Sequence, residues 1–277
     1  MNWKAGIQKL SLWPAARQAH DLLVRMPIIR TALKKLTRSA VPLDTRVWTD
    51  IRAGLGKGLA LYLDPRFEMD YASGKYEVHL QKALSAHLQP GSVVYDVGAH
   101  IGVVSMFASE LVGSAGTIFA FEADPENAER IKTHAQRNDL SQIQVFSCVV
   151  WSSNGQLSFE RASAESSRNQ GSVAPTSDRT KKDTIVVEAI SLDNFASGHL
   201  APTLIKIDVE GAEAEVLRGC DRIFARSHPT VICEVHHRQA EVHVRAWLSQ
   251  RGYSLEWLTG STEFPRHLLA TPPSSLV

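Results

Sequence analysis

VVYDVGAHIGVVSMFAS, residues 93–109, passes from a β-branched apolar run through a glycine turn into a pattern with helical period. Asp96 sits at the end of the strand, Gly98 opens the turn and Gly102 lies where the helix begins. In an open parallel sheet, ligands sit beyond the carboxyl ends of the strands, and glycines there let a ligand approach the backbone. The helix that follows presents free N–H groups at its first turn.

The text on either side alternates in the same way. A helix over 77–88 ends at Pro90-Gly91 before this strand. After it come a strand (GTIFAFEA, 116–123), a helix over 125–138 and a third strand (IQVFSCVVW, 143–151). TLIKIDVEG (203–211) leads into a helix over 212–219, and PTVICEVHH (229–237) leads into one over 239–251. This spacing predicts right-handed βαβ units and an α/β fold with a parallel sheet covered on both faces. The strands are apolar nearly throughout, as doubly covered strands are. YSLEWL (253–258) and RHLLA (266–270), separated by a turn at Gly260, read as a closing antiparallel hairpin. Between QLSFE (156–160) and TIVVEAI (184–190), which can pair as a hairpin, lies a polar stretch without a period. The insertion over 152–183 reads as a lid over a substrate or as a surface loop.

The chain has 277 residues, 44% hydrophobic and 21% charged, the composition of a globular protein able to bury a sizeable core. No apolar run reaches the roughly 18 residues of a membrane span. Cys148, Cys220 and Cys233 form no CxxC pair, which fits a reducing compartment. The opening residues lack a signal-peptide pattern, so a cytoplasmic location is expected. The net charge of +1 hides an asymmetry. Residues 1–57 carry eleven Lys/Arg against three Asp/Glu, and the remainder carries 19 against 26. Two parts are therefore expected: a basic, partly helical N-terminal extension over 1–70, and a catalytic domain over 71–277. Within the extension, Leu22, Met26, Ile29, Leu33 and Leu36 recur at helical steps among basic residues, interrupted at Pro27. That segment reads as a cap on the domain, a dimer arm, or a peripheral contact with an anionic membrane surface. Gly54, Gly56 and Gly58 do not make a nucleotide-binding P-loop, because Lys57 is followed by glycine and then by a strand.

Two cofactor classes use a glycine turn of the kind at Gly98. The dinucleotide pattern G-x-G-x-x-G, aligned on Gly98, needs glycine where this chain has Asp96 and Ile101. A carboxylate at the turn disfavours a pyrophosphate and suits the ammonium and sulfonium of S-adenosylmethionine. Glu122 ends the second strand, where a carboxylate can accept both ribose hydroxyls of either cofactor.

YDVGAHIG (95–102), FAFEADPENAERIKTHAQRND (119–139), SLDNF (191–195) and above all IKIDVEGAEAEVLRG (205–219) resemble the FkbM family of S-adenosylmethionine-dependent methyltransferases. The resemblance covers roughly residues 70–258. It implies the Rossmann-like class I methyltransferase fold, a mostly parallel seven-stranded sheet whose last strand is antiparallel. The implied activity is O-methyl transfer to a hydroxyl of a sugar, glycan or related natural product. Carried over by position, Asp96, Gly98 and Gly102 would line the methionine part of S-adenosyl-L-methionine, Glu122 its ribose, and Val150 and Trp151 its adenine, with His100 also among the cofactor-binding residues. Many members have Asn at the position of His100 and a small residue near Trp151, so the pocket differs there.

Methyl transfer to an alcohol gains from a positioned base. Asp208 and Glu210 follow the fourth strand and His236 follows the fifth, on the ligand-binding edge of the sheet. Asp208 or His236 is the first candidate base, then Glu210. No [DN]-P-P-[YFW] signature of amino-group methylation is present. His228, Glu234, His236, His237 and His243 crowd together, but neither H-E-x-x-H nor a Cys/His zinc spacing appears, and adjacent strand residues point to opposite faces. Metal-independent transfer is the expectation. The acidic body lacks an aromatic–basic stripe, so no nucleic acid is expected as a partner. The competing functional readings are a nicotinamide-dependent oxidoreductase and a non-catalytic methyltransferase-like binding module.

Overall fold

The computed structural model describes residues 41–42, 45–161, 172–173 and 184–273. The basic segment over 16–37, and all but two residues of the polar stretch between 162 and 183, lie outside the described residues. Two compact units divide the chain, residues 1–47 with 63–69 and residues 48–62 with 70–277. In the smaller unit the guanidinium of Arg66, itself buried, donates to both carboxylate oxygens of Asp64, at 2.6 Å from Nη2 and 3.0 and 3.1 Å from Nε.

Strands β1 (Val47–Asp50) and β2 (Ala60–Leu63) form a two-stranded pair. Then follow α1 (Val78–His87), β3 (Val93–Val97), α2 (Val103–Val112), β4 (Thr117–Glu122), α3 (Pro125–Arg137) and β5 (Ile143–Ser147). The next elements are β6 (Val149–Val150), β7 (Gly155–Glu160), β8 (Ser172–Val173) and β9 (Thr184–Ile190). After them come α4 (Leu192–Phe195), β10 (Leu204–Ile207), α5 (Glu213–Arg218), α6 (Asp221–Arg226) and β11 (Thr230–Val235). The chain closes with α7 (Arg238–Ser249), β12 (Ser254–Trp257) and β13 (Arg266–Thr271). No helix among the described residues is long and apolar enough to cross a membrane.

The main sheet has seven strands in the order β12-β13-β11-β10-β3-β4-β5. Neighbours from β11 through β5 run parallel, and β13 is antiparallel to both β11 and β12. This is the Rossmann-like class I methyltransferase arrangement, with the closing hairpin where it was expected. Its strand order reverses between β10 and β3, which places a ligand crevice above their carboxyl ends. Tyr95, Phe119, Phe121, Phe146 and Phe195 pack edge-to-face, tilted or stacked over one side of β3, β4 and β5. The hairpin of β7 and β9 forms in register from Gly155↔Ala189 to Glu160↔Thr184.

The third strand departs from expectation. IQVFSCVVW breaks at Cys148, whose N–H reaches Glu122 O and Phe146 O at 3.1 Å each. Beyond the break, β6 leaves the main sheet and pairs parallel with β9 in a four-stranded sheet. Two short helices were also not anticipated. Ser191 caps α4 through Asn194 N–H, and Asp193 accepts the N–H groups of Arg222 and Ile223 at 2.9 Å each, so one short helix caps the next.

Helix α3 shows how one helical face reads an extended strand. Asp124 caps it, Pro125 occupies its first turn, and Arg130, His134 and Asn138 follow at four-residue steps. Arg130 donates to Tyr62 O at 2.8 Å, and Asn138 both accepts from Ala60 N–H at 2.7 Å and donates to Ala60 O at 2.8 Å. His134 lies between them with Nε2 2.8 Å from Tyr62 N and Nδ1 2.9 Å from Ile101 O. The tautomer follows: Nδ1 carries the proton for the carbonyl, and Nε2 accepts from the amide.

Gly98 and Gly91 separate two costs of substitution. Both have positive φ, 73° and 87°. A Cβ at Gly98 would sit 1.7 Å from Asp208 O, whereas one at Gly91 meets nothing within 4 Å. Gly91→Ala is expected to cost only the left-handed backbone penalty, about 1–2 kcal/mol. Gly98→Ala is expected to cost more than that and to displace the β3–α2 turn. Urea unfolding of the two variants checks the difference.

Candidate active site

The crevice is a cavity of about 350 Å3 at the carboxyl ends of β3, β4, β10 and β11. Lys206, in the middle of the apolar run TLIKIDV, organises its floor. Its ammonium is buried, donates to Gly98 O at 2.9 Å, and lies 3.3 Å from Asp96 Oδ1 and 3.4 Å from Asp208 Oδ2. Burial disfavours its charge, but the surrounding carboxylates, Asp208 first and then Asp96, outweigh that and raise its pKa. The same ammonium and His236 hold the Asp208 carboxyl below its ordinary range against the effect of burial.

On one side, Glu122 is buried and lines the cavity. Its Oε2 accepts from His100 N–H at 2.7 Å and its Oε1 from Asp124 N–H at 2.8 Å. Burial pushes this carboxyl up to about 7, with the two backbone donors opposing. The turn residues Gly98 and His100 line the same wall, His100 with φ of 52°. Cys148, Val149, Val150 and Phe159 form an apolar side beyond Glu122.

Asp96, Gly102 and Trp151 were expected against the cofactor, and none of them lines the cavity. Asp96 lies beneath the turn, fully buried, with Oδ2 accepting from Ser105 Oγ at 2.6 Å and Oδ1 facing Lys206. Gly102 precedes α2 with φ of 82°, and a Cβ there would overlap Ile131 at 2.9 Å. Trp151 packs into the core of the second sheet with Val149, Phe159 and Val187. The carboxylate at the turn therefore faces Lys206, from below.

On the opposite side, Asp208, Glu210, Glu234 and His236 converge on the cavity together with Tyr76 and Glu77. The three candidate bases are thus brought together. His236 Nδ1 donates to Glu213 Oε1 at 2.6 Å, and its Nε2 faces Asp208 Oδ1 and Glu210 Oε2 at 3.5 Å each. Burial lowers the imidazole pKa, but the hydrogen bond to fully buried Glu213 and the charges of Asp208, Glu213 and Glu210 raise it to about 9. Glu210, with φ of 50°, is raised by burial despite His236. His237 is not part of the cluster: it caps α7 through Ala240 N–H. Lys206, Glu213, Tyr76 and Glu77 were missed in the sequence. Lysine within an otherwise apolar, doubly covered strand was the available signal for the first of them.

A family model described as the methyltransferase FkbM domain matches residues 96–255, more than half of the chain. The protein belongs to the FkbM methyltransferase family. The cofactor that goes with the family is S-adenosylmethionine. Hexuronic acid methyltransferase AglP of Haloferax volcanii is 28% identical over 177 residues, covering 63% of this chain and 69% of that protein. Ribosomal protein L11 methyltransferase of Pelotomaculum thermopropionicum is 33% identical over 101 residues, 35% of this chain and 31% of that protein. Among solved structures, the methyltransferase FkbM from Methylobacillus flagellatus is similar at 19% identity with a TM-score of 0.49. That match covers 65% of this chain and 43% of the other, so this FkbM chain spans less than half the length of that protein.

Removing the ammonium leaves Asp96 buried without its counter-charge. Lys206→Met is expected to destabilise the fold by about 3–5 kcal/mol, the cost of breaking a buried ion pair on one side. Asp96→Asn in the same chain should recover part of the loss, because the uncompensated charge is gone. Denaturant unfolding of the single and double variants measures both.

Proposed function

We propose that the protein transfers a methyl group from S-adenosylmethionine to a hydroxyl of a sugar, glycan or related compound, with His236 as the base. The observation that carries this reading is the Glu213–His236 pair. Its Nε2 opens into the same cavity that Glu122 and the Gly98 turn line from the other side. Family membership favours methyl transfer over hydride transfer. The relative named as a hexuronic acid methyltransferase favours a carbohydrate acceptor.

The residues present fit the cofactor. Glu122 keeps acceptor capacity for a ribose diol beyond its two backbone donors, since each carboxylate oxygen has two lone pairs. The apolar side at Val149, Val150 and Phe159 suits a purine, and the carboxylates of the acceptor side suit a cationic sulfur centre. S-adenosylmethionine supplies an activated methyl group. The protein's own task is to hold the hydroxyl in line and to take its proton.

In its neutral form His236 accepts that proton at Nε2. Glu213 fixes the ring through Nδ1–H and stabilises the imidazolium that results, while Asp208 and Glu210 stand 3.5 Å from Nε2 and favour the same charge. Glu77, Asp208, Glu210 and Glu234 all line the cavity, so a hydroxyl on an uncharged ring enters with less repulsion than an acceptor carboxylate.

Two measurements test the reading. Affinity for S-adenosylmethionine, by calorimetric titration, is expected to rise with pH through about 7 as Glu122 ionises, and to be weaker and nearly flat in Glu122→Gln. Absence of saturable binding would overturn the cofactor assignment. The second is radiolabelled methyl transfer to a panel of neutral sugars and glycans. Because the His236 pKa is raised, its neutral form is scarce at pH 7, and the transfer rate should climb about tenfold per pH unit before levelling near 9. In Glu213→Gln the plateau should begin at lower pH and the maximal rate should fall. A pH-independent rate in the parent protein would sink His236 as the base.

A further inference from the structure

One group of donor side chains beside the cavity has no part in holding the cofactor or taking the proton. Glu77 immediately precedes α1, His79 lies in its first turn, and His267 is on β13, across from Glu234 on β11. His267 is buried, and its Nδ1 lies 3.0 Å from His79 Nε2. Its Nε2 lies 3.3 Å from Glu77 Oε2 and 3.9 Å from Glu234 Oε2. One ligand atom from each of Glu77, His79 and His267 falls within 4.8 Å of the others.

We propose that Glu77, His79 and His267 form a site for a divalent transition metal of the zinc class, which fastens the start of α1 to strand β13, between β11 and β12 in the main sheet. Two imidazoles and one carboxylate are a recurring donor set of four-coordinate zinc, with the fourth position left for water. Zinc–nitrogen bonds of about 2.0–2.1 Å in a tetrahedron put ligand atoms about 3.3 Å apart. The two ring nitrogens of His79 and His267 already stand close to that separation. Facing each other at 3.0 Å, they share either one proton or one cation.

The surroundings complete the pattern that metal-bound histidines show. Glu77 stands 3.3 Å and Glu234 3.9 Å from His267 Nε2. Ligation of His267 through Nδ1 therefore requires Glu77 to turn from Nε2 to the ion and leaves Nε2–H to Glu234. A carboxylate behind the second ring nitrogen orients the ligand and raises its basicity. Tyr76 hydrogen-bonds to Glu77 and so helps to hold that carboxylate. The imidazole of His79 is only half-buried, which leaves an entry path. Fixing Glu77 in this way also fixes the cavity wall that Glu77 and Tyr76 share. His79 and His267 are 188 residues apart, so no spacing in the sequence announces the site.

The test uses the full chain, stripped with a chelator and dialysed. Zinc chloride is titrated calorimetrically, and cobalt(II) is followed by its visible absorption. One equivalent is expected, with the intense visible bands of four-coordinate cobalt. Affinity should fall about tenfold or more in His79→Ala and stay unchanged in His236→Ala. Zinc should raise the thermal unfolding midpoint of the parent and of His236→Ala, but not of His79→Ala. Lack of saturable binding, or equal binding in His79→Ala, would show that the two histidines share a proton and would overturn the proposal. Loss in His236→Ala with retention in His79→Ala would overturn it as well, by placing the ion among Asp208, Glu234 and His236.

Discussion

The buried ammonium of Lys206 joins the two halves of the crevice. It reaches the carbonyl of Gly98 in the β3–α2 turn, Asp96 beneath that turn, and Asp208 just beyond β10. Each contact compensates the others. The ammonium would be costly to bury without carboxylates, and Asp96, fully buried, would be costly without the ammonium. Register then turns an electrostatic requirement into a geometric one. Lys206 is the direct neighbour of Asp96 across the β10–β3 pair, so the charges meet wherever the strands pair correctly. A slip of one residue would send the ammonium to the opposite face and leave both groups without partners.

That arrangement explains why Gly98 must lack a side chain. The β3–α2 turn passes so close to the end of β10 that a Cβ would overlap Asp208 O, and Asp208 N–H donates to Val97 O at 3.0 Å just below. The glycine serves packing between two loops as much as access for a ligand. His100, two residues on, takes a left-handed conformation and gives its N–H to Glu122, so the turn also presents the carboxylate expected to meet the ribose.

What the sequence made legible follows from how local each signal is. The five parallel strands and the helices between them are written in period and punctuation: β-branched runs, Pro90-Gly91, and the Asp124-Pro125 start of α3. The carboxylates of the acceptor side were legible as a group because they follow consecutive strand ends. Two kinds of feature were not. The break at Cys148 depends on its N–H turning to carbonyls of β4 and β5, and nothing in SCVVW distinguishes that from a continuous strand. The place of Asp96 beneath the turn was not legible, because a carboxylate at a glycine turn reads as a ligand contact unless its partner is known. That partner, Lys206, is 110 residues away and visible only as a charge in an apolar strand.

The side of the cavity formed by Asp208, Glu210 and His236 contains an opposition. The carboxylates that would make His236 a strong base also hold its proton, with its pKa raised to about 9. A base held that way is weak in supply though strong in affinity. A neutral acceptor hydroxyl would leave that balance as it is, whereas a further carboxylate beside Nε2 would strengthen the hold on the proton.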